Sequence, residues 1–252
     1  MEFSNKAKKK VTIALIILTA LMFMLSGFNL VTKGTFVSTT KKMPIYSVDT
    51  KDKKVAITFD ASWGSDNTDS ILNTLDKYNV KATFFLVGEW CDDYPDKVKA
   101  IAKRGHEIGN HSNKHLNFTT ISKDKIITEV EAANAKILSL TGETPKLFRF
   151  PEGLYSDLAL ETVESSGLIP VQWDVDSVDW KAYGADKEYD KVVKNVKPGS
   201  IVLFHNDAKY TPETLPKIIE SLQDQGYEFV KISDLIIQDG YYVDNNGKQA
   251  RK

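Results

Sequence analysis

Along most of this chain, short apolar runs alternate with longer stretches whose apolar residues recur at helical spacing. Val55-Ala56-Ile57-Thr58-Phe59 predicts a buried strand, and Thr68 to Tyr78 predicts a helix with Ile71, Leu72 and Leu75 on one face. A strand over Ala82 to Val87, a helix over Asp96 to Lys103 stopped by Arg104-Gly105, and a strand over Glu107 to Asn110 follow. Lys123 to Thr141 reads as a long helix with Ile126, Ile127, Val130, Ala133 and Ile137 at helical spacing, closed by Gly142. Leu147 to Phe150 is then a strand and Ser156 to Ser166 a helix. Strands over Ile169 to Trp173, Ser200 to Phe204 and Glu228 to Val230, with a helix over Leu215 to Gln225, complete the series. Strand and helix alternate without return hairpins, which predicts an α/β fold with a parallel sheet, closed into a barrel or left open.

The two ends break this pattern. Lys6, Lys8, Lys9 and Lys10 precede a mostly apolar run from Val11 to Val31. About 20 apolar residues span a bilayer as a helix, whereas a signal-peptide core is shorter. The run is therefore expected to be a single-pass membrane anchor (residues 11–31), with the basic residues 1–10 cytoplasmic and the rest of the chain outside the cell membrane. A secretory signal cleaved near Leu25-Ser26-Gly27 is the competing reading, and it also places the domain outside. Residues 32–50, rich in Thr, Ser and Lys, read as a linker, 51–238 as the domain, and 239–252 as a loose polar tail.

Bulk properties narrow the function. A net charge of -1 and the lack of a basic stripe interleaved with aromatics give nucleic-acid binding no support. The single Cys91 excludes an internal disulfide and any multi-cysteine zinc site, so a metal would be held by histidines and carboxylates. Of only four histidines, His106, His111 and His115 fall in one short segment. Four residues apart on a helical turn, His111 and His115 would share a face, and two convergent imidazoles suggest a divalent metal.

In a parallel α/β fold, reactive groups collect where strands end. Here Asp60, His111, Arg149, the stretch Asp176-Ser177-Val178-Asp179-Trp180, and His205 each stand at or just after a predicted strand. Any one alone is an ordinary cap, ion pair or turn former, but five polar strand ends in one chain point to a site.

These segments, Thr58-Phe59-Asp60, His111-Ser112-Asn113-Lys114-His115, Arg149-Phe150-Pro151-Glu152-Gly153, Asp176 to Trp180, and Leu203-Phe204-His205, resemble in order the five motifs of polysaccharide deacetylases, the carbohydrate esterases of family four with a NodB homology domain. The resemblance covers about Lys51 to Ile237 and implies a distorted, incomplete (β/α) barrel that removes acetyl groups from N-acetylated glycans such as peptidoglycan. It implies Asp60 as general base, Arg149 as the group that orients it, and His205 as general acid tuned by Asp179. By the same resemblance His111 and His115 ligate a divalent metal, zinc or else cobalt or another transition metal, and Pro151, Glu152, Trp180 and Leu203 contribute to the substrate pocket, Trp180 and Leu203 around the acetyl methyl. The segment Phe59-Asp60-Ala61-Ser62-Trp63-Gly64 and the anchor are similar to the sporulation-associated branch. A monomer is expected.

The chain departs from the family pattern at two positions. Ala61 stands where the family has a metal-binding aspartate, and Glu152 where it usually has tyrosine. The first leaves the metal one protein ligand short and opens a second reading, a glycan-binding or scaffolding protein with impaired catalysis on the same fold.

Overall fold

The computed structural model describes residues 9–10, 12–22 and 42–252. The chain divides into two units, Met1–Thr40 and Lys41–Lys252. In the first, residues 12–22 are helical; the remainder of the expected anchor, and residues 32–41 of the expected linker, lie outside the described residues. Among the described residues no helix is long and apolar enough to cross a membrane.

The second unit contains β1 (Ser47–Val48), β2 (Lys54–Ala61), β3 (Thr83–Leu86), β4 (Glu107–Asn110), β5 (Leu147–Phe148), β6 (Ile169–Pro170), β7 (Val175–Asp176), β8 (Ile201–His205), β9 (Glu228–Phe229), β10 (Tyr241–Val243) and β11 (Lys248–Arg251). The main sheet runs β6-β5-β4-β3-β2-β8-β7 with β9 also on β2, and every pairing in it is parallel. Its path ends at β6 and β7, which are not paired with each other, so the barrel is incomplete.

The pleat of β2 explains how the sheet separates core from site. Val55, Ile57, Phe59 and Ala61 join one apolar cluster with Ile71, Leu72 and Leu75 of the helix Thr68–Lys77 and with Leu215, Ile218, Ile219 and Leu222 of the helix Thr211–Asp224. The alternate residues turn the other way. Ala56 enters a second cluster with Phe85 and Ile201, and Thr58 and Asp60 share its face. A third cluster, around Phe118, Phe148 and Phe150, lies under the helices Lys123–Thr141 and Asp157–Ser165. The longer of these two helices has the predicted bounds: the Ser122 hydroxyl accepts from the Lys125 N–H, and Gly142 takes the left-handed φ of 79° that ends it.

Some short elements differ from the pattern-based expectation. Strands β5 and β6 are two residues each, because the chain leaves the sheet early to form the turn Pro151–Gly153 and the loop after Val171. The helices Gly88–Asp93 and Ala185–Val193 and strand β7 were not signalled by apolar spacing. The C-terminal tail is not loose: β11 pairs parallel to β1 and antiparallel to β10. Gln249 anchors it, fully buried and bonded through its amide to the Ile237 N–H and carbonyl at 2.8 and 2.9 Å. Gly247 makes the turn possible, since its φ is 78° and an added Cβ would lie 2.2 Å from the Tyr46 ring.

Candidate active site

Strand register brings the polar strand ends to one level. Asp60 of β2 is the Cα partner of both Phe85 and His205, and Asp176 of β7 partners Leu203. Leu86 pairs with Asn110, and Asn110 with Phe148, so His111 and Arg149 each follow one step beyond a paired residue. The loops that continue from these strands contain five non-glycine residues with left-handed φ: Ser112, His115, Glu152, Val178 and Ala182. Such backbone is costly, most of all for β-branched Val178. It is held by local bonds, including the Asp176 carboxylate accepting from the Val178 N–H at 2.7 Å. Backbone strain concentrated in the loops around one cleft is the pattern of a site whose side-chain positions matter more than its loops' comfort.

His111 and His115 are therefore not on a helical turn. Their approach, with ring centroids 5.0 Å apart, is made by a strand-end loop in which Ser112 and His115 have φ of 66° and 54°. His106 stands apart from them, accepting the Ala82 N–H on Nδ1 and packing edge-on to Phe84.

Two charge pairs form the floor. Arg149, fully buried, donates from NH1 to Asp60 Oδ1 and to Thr58 Oγ1, both at 2.8 Å, and from NH2 to the Gln172 carbonyl at 3.1 Å. Its guanidinium lies over the Phe85 ring at 4.1 Å. Asp60 is 5 % exposed. Burial alone would raise its pKa, but Arg149, His111 and His205 outweigh burial and hold the carboxyl below the usual range. Asp179, 2 % exposed, accepts from the His205 N–H and from His205 Nδ1 at 2.7 Å each, and from the Thr211 hydroxyl at 3.2 Å. Burial opposes charge on His205, yet the bond to Asp179 and the charges of Asp179, Asp60 and Asp176 raise its pKa to about 9. A carboxylate kept ionised and an imidazole kept protonated thus stand on paired positions of adjacent strands. Separated pKa values of this kind suit one group to taking a proton and the other to giving one.

Above them is a cleft of about 720 Å³ lined by Asp60, His111, His115, Glu152, Trp180 and Leu203, with Trp63, Trp173 and His205 among its other walls. Of the expected pocket residues, Glu152, Trp180 and Leu203 line it and the buried Pro151 does not; Arg149, expected to orient the base, lies behind Asp60. The Glu152 N–H is bonded to no protein group among the described residues.

The expected metal is only partly matched by these donors. His111 Nδ1 lies 2.8 Å from the Arg149 carbonyl, which fixes the proton there and turns Nε2 toward Asp60 Oδ2 at 3.5 Å, the orientation a ligating histidine needs. His115 lines the same cleft, with burial and then His111 lowering its pKa to about 4. Position 61 supplies no third donor, since Ala61 is fully buried in the apolar cluster, and Asp60 gives Oδ1 to Arg149 with Oδ2 left beside His111. Among the described residues no group of three or more His, Cys, Asp or Glu side chains is gathered to hold a metal. Two imidazoles without a carboxylate do not make the closed or three-ligand site that zinc takes.

The structure also adds residues that sequence spacing did not single out. Thr58, two residues before Asp60 on the same strand face, was recoverable from the pleat. Glu188, on the helix Ala185–Val193, was not: it is 3 % exposed, with its carboxylate near Asp179 and the Thr211 hydroxyl. Burial and then the charge of Asp179 push its pKa up to about 7. Because that value lies above the unfolded 4.5, this group removes stability as pH rises from 4.5 through about 7. Glu188→Gln is expected to match the parent near about pH 4 and to exceed it by about 2 to 3 kcal/mol near about pH 8, read by urea unfolding at both.

A buried carboxylate and an imidazole at the C-terminal ends of an incomplete parallel barrel make an arrangement suited to hydrolysis. Residues 47–171 match the polysaccharide deacetylase family. The chain is 35% identical over 197 residues to the peptidoglycan-N-acetylmuramic acid deacetylase PdaA of Bacillus subtilis, covering 77% of this chain and 75% of the relative. It is 36% identical over 196 residues to a peptidoglycan-N-acetylglucosamine deacetylase of Bacillus cereus, covering 76% of this chain and 92% of that one. Among solved structures, a CE4 family pseudoenzyme from Bacillus anthracis superposes with a TM-score of 0.74 at 34% identity, over 77% of this chain and 68% of that chain. The chain belongs to the polysaccharide deacetylase family, the NodB-type carbohydrate esterases.

Proposed function

We propose that this protein de-N-acetylates a cell-wall glycan of the peptidoglycan kind, with Asp60 as base and His205 as acid. The observation that carries the reading is the opposed tuning of these two groups on paired strand positions below one cleft. Arg149 occupies Asp60 Oδ1, leaving Oδ2 to take a proton from water as the water oxygen bonds to the acetyl carbon. Asp179 occupies His205 Nδ1, leaving Nε2 to protonate the glycan nitrogen as the C–N bond breaks, so acetate and a free amine leave. The Glu152 N–H is the donor available for the oxyanion, and Leu203 and Trp180 the surface available for the methyl. Acetate release from N-acetylated wall glycan tests the reading.

One relative named a peptidoglycan-N-acetylmuramic acid deacetylase and another named a peptidoglycan-N-acetylglucosamine deacetylase support the substrate class. The Lys6 to Lys10 cluster and the apolar run 11–31 support a single-pass anchor with the domain outside the membrane, and the Ala61-Ser62-Trp63-Gly64 segment supports a sporulation role. We read the chain as a monomer.

Ala61 favours a second reading, a glycan-binding protein with impaired catalysis, and the likeness to the Bacillus anthracis pseudoenzyme is consistent with it. The family is generally metal-dependent, and here a divalent ion such as zinc would rest on His111 and His115. Ala61→Asp places a carboxylate beside an apolar cluster, so the variant is expected to unfold at lower temperature than the parent in chelator. Zinc is expected to restore it through linkage, with a smaller zinc shift in the parent. Identical zinc shifts in thermal unfolding would mean that the histidine pair is not poised for metal.

A further inference from the structure

Behind the acid lies a second buried carboxyl. Glu188 and Val192, four residues apart on the helix Ala185–Val193, share its buried face. Val192 packs into the apolar cluster with Leu215, Ile218 and Leu222 of the helix Thr211–Asp224, and the Tyr189 hydroxyl donates to Ser221 Oγ of the same helix at 3.0 Å. This packing carries Glu188 to the fully buried Thr211 hydroxyl, which itself donates to Asp179 Oδ2 at 3.2 Å. Asp179 in turn accepts from the His205 N–H and holds its Nδ1. One line of buried polar groups therefore runs from Glu188 through Thr211 and Asp179 to His205.

Thr211 has a single hydroxyl proton to offer two carboxyl groups. While Glu188 keeps its own proton it can donate to Thr211 Oγ1, and Thr211 donates on to Asp179. Once Glu188 ionises, two carboxylates compete for that hydroxyl, and a second negative charge faces Asp179. Added negative charge there holds the proton on His205 more tightly and makes it a weaker acid. The charged groups that act on Glu188 are Asp179, from the loop after β7, and Glu213, from the helix Thr211–Asp224. Both are acidic, and Glu213 is itself paired with Lys217 at 2.9 Å. Burial first and then these charges move the ionisation of Glu188 to about 7. A carboxyl so placed lowers stability at neutral pH, a cost that an amide in its place does not carry.

We propose that Glu188 is a positioning residue of the acid: acting on Asp179 across the Thr211 hydroxyl, it sets how tightly His205 holds its proton, and it weakens the acid when it ionises. Its part in catalysis rests on the deacetylase reading above.

Burial lowers the pKa of His106, His111 and His115, so of the four histidines His205 alone titrates in alkali. Its ring signals can therefore be followed by nuclear magnetic resonance of the histidine-labelled full chain. In the parent they are expected to shift twice, at about 7 as Glu188 ionises and at about 9 as His205 loses its proton. In Glu188→Gln the first step is expected to vanish and the second to come about 0.5 to 1 pH unit earlier, while Glu213→Gln leaves both in place. The alkaline limb of acetate release is expected to move with the second step. An unchanged His205 midpoint in Glu188→Gln overturns the inference, as does an equal displacement in Glu213→Gln. A displaced midpoint without acetate release by the parent upholds the link from Glu188 to His205 and overturns the deacetylase reading alone.

Discussion

Arg149→Met is expected to lower the stability of the deacetylase domain by about 3 to 5 kcal/mol, the largest effect of any single substitution on the site's floor. The guanidinium is fully buried, and its removal strands the Asp60 carboxylate at 5 % exposure without its ion pair. Methionine fills much of the volume but returns none of the bonds to Asp60, Thr58 and Gln172. The loss is mainly that of an unpaired buried charge, so the double variant Arg149→Met/Asp60→Leu is expected to recover most of it. The sign with pH follows from Asp60, whose carboxyl is held below 3.8 in the fold. The pair contributes fully above that value and is lost as pH falls below it, so the gap between parent and variant narrows in acid. Urea unfolding of the four proteins of the cycle decides the matter. Additive losses would show that Arg149 and Asp60 do not act as a pair.

His205→Gln is expected to reduce acetate release by about 10²- to 10⁴-fold, the range for losing a positioned general acid. The backbone N–H of residue 205 and the Thr211 hydroxyl still donate to Asp179, so the fold is retained while the transferable proton is lost. In the parent, activity is expected to fall as pH rises through about 9, where His205 deprotonates. The variant's residual rate is expected to lack that limb. Stability follows the same group: with a folded pKa of about 9 against 6.5, the His205 and Asp179 pair contributes fully below 6.5 and is lost as pH rises through about 9. A pH–rate profile of parent and variant on one glycan separates these outcomes. A parent limb unchanged by His205→Gln would assign the acid elsewhere.

What sequence alone revealed, and what it concealed, follows from the range of the forces involved. Strand β4 and the helix Lys123–Thr141 took their predicted bounds because both are set by local apolar spacing and, for the helix, by the Ser122 and Gly142 caps. The order of polar residues at the strand ends was legible because a parallel barrel gathers whatever follows its strands. The convergence of His111 and His115 was attributed to helical spacing, yet left-handed turns at Ser112 and His115 produce it, and two-fold or 3.6-fold periodicity carries no trace of such turns. Glu188 was invisible for a different reason: it reaches Asp179 only through tertiary packing of its helix. The tail read as loose because its strands are short and polar, and their stability comes from Gln249 and the partner β1 at the far end of the domain.

Ala61 was legible as a departure, and the structure gives it physical content. Its methyl completes the same apolar cluster as Phe59, while Asp60 between them faces Arg149. The histidine pair is thus retained, with one ring pinned by the Arg149 carbonyl, beside a position that supplies no charge.

As the proposed base and acid, Asp60 and His205 act together on an N-acetylated wall glycan. The most direct measurement is mass spectrometry of purified N-acetylated peptidoglycan strands incubated with the parent and with Asp60→Asn, with and without added zinc. Acetyl-free amino sugars are expected from the parent and none above background from Asp60→Asn. Intact acetylated strands after incubation with folded, glycan-bound parent protein in both conditions would contradict these roles.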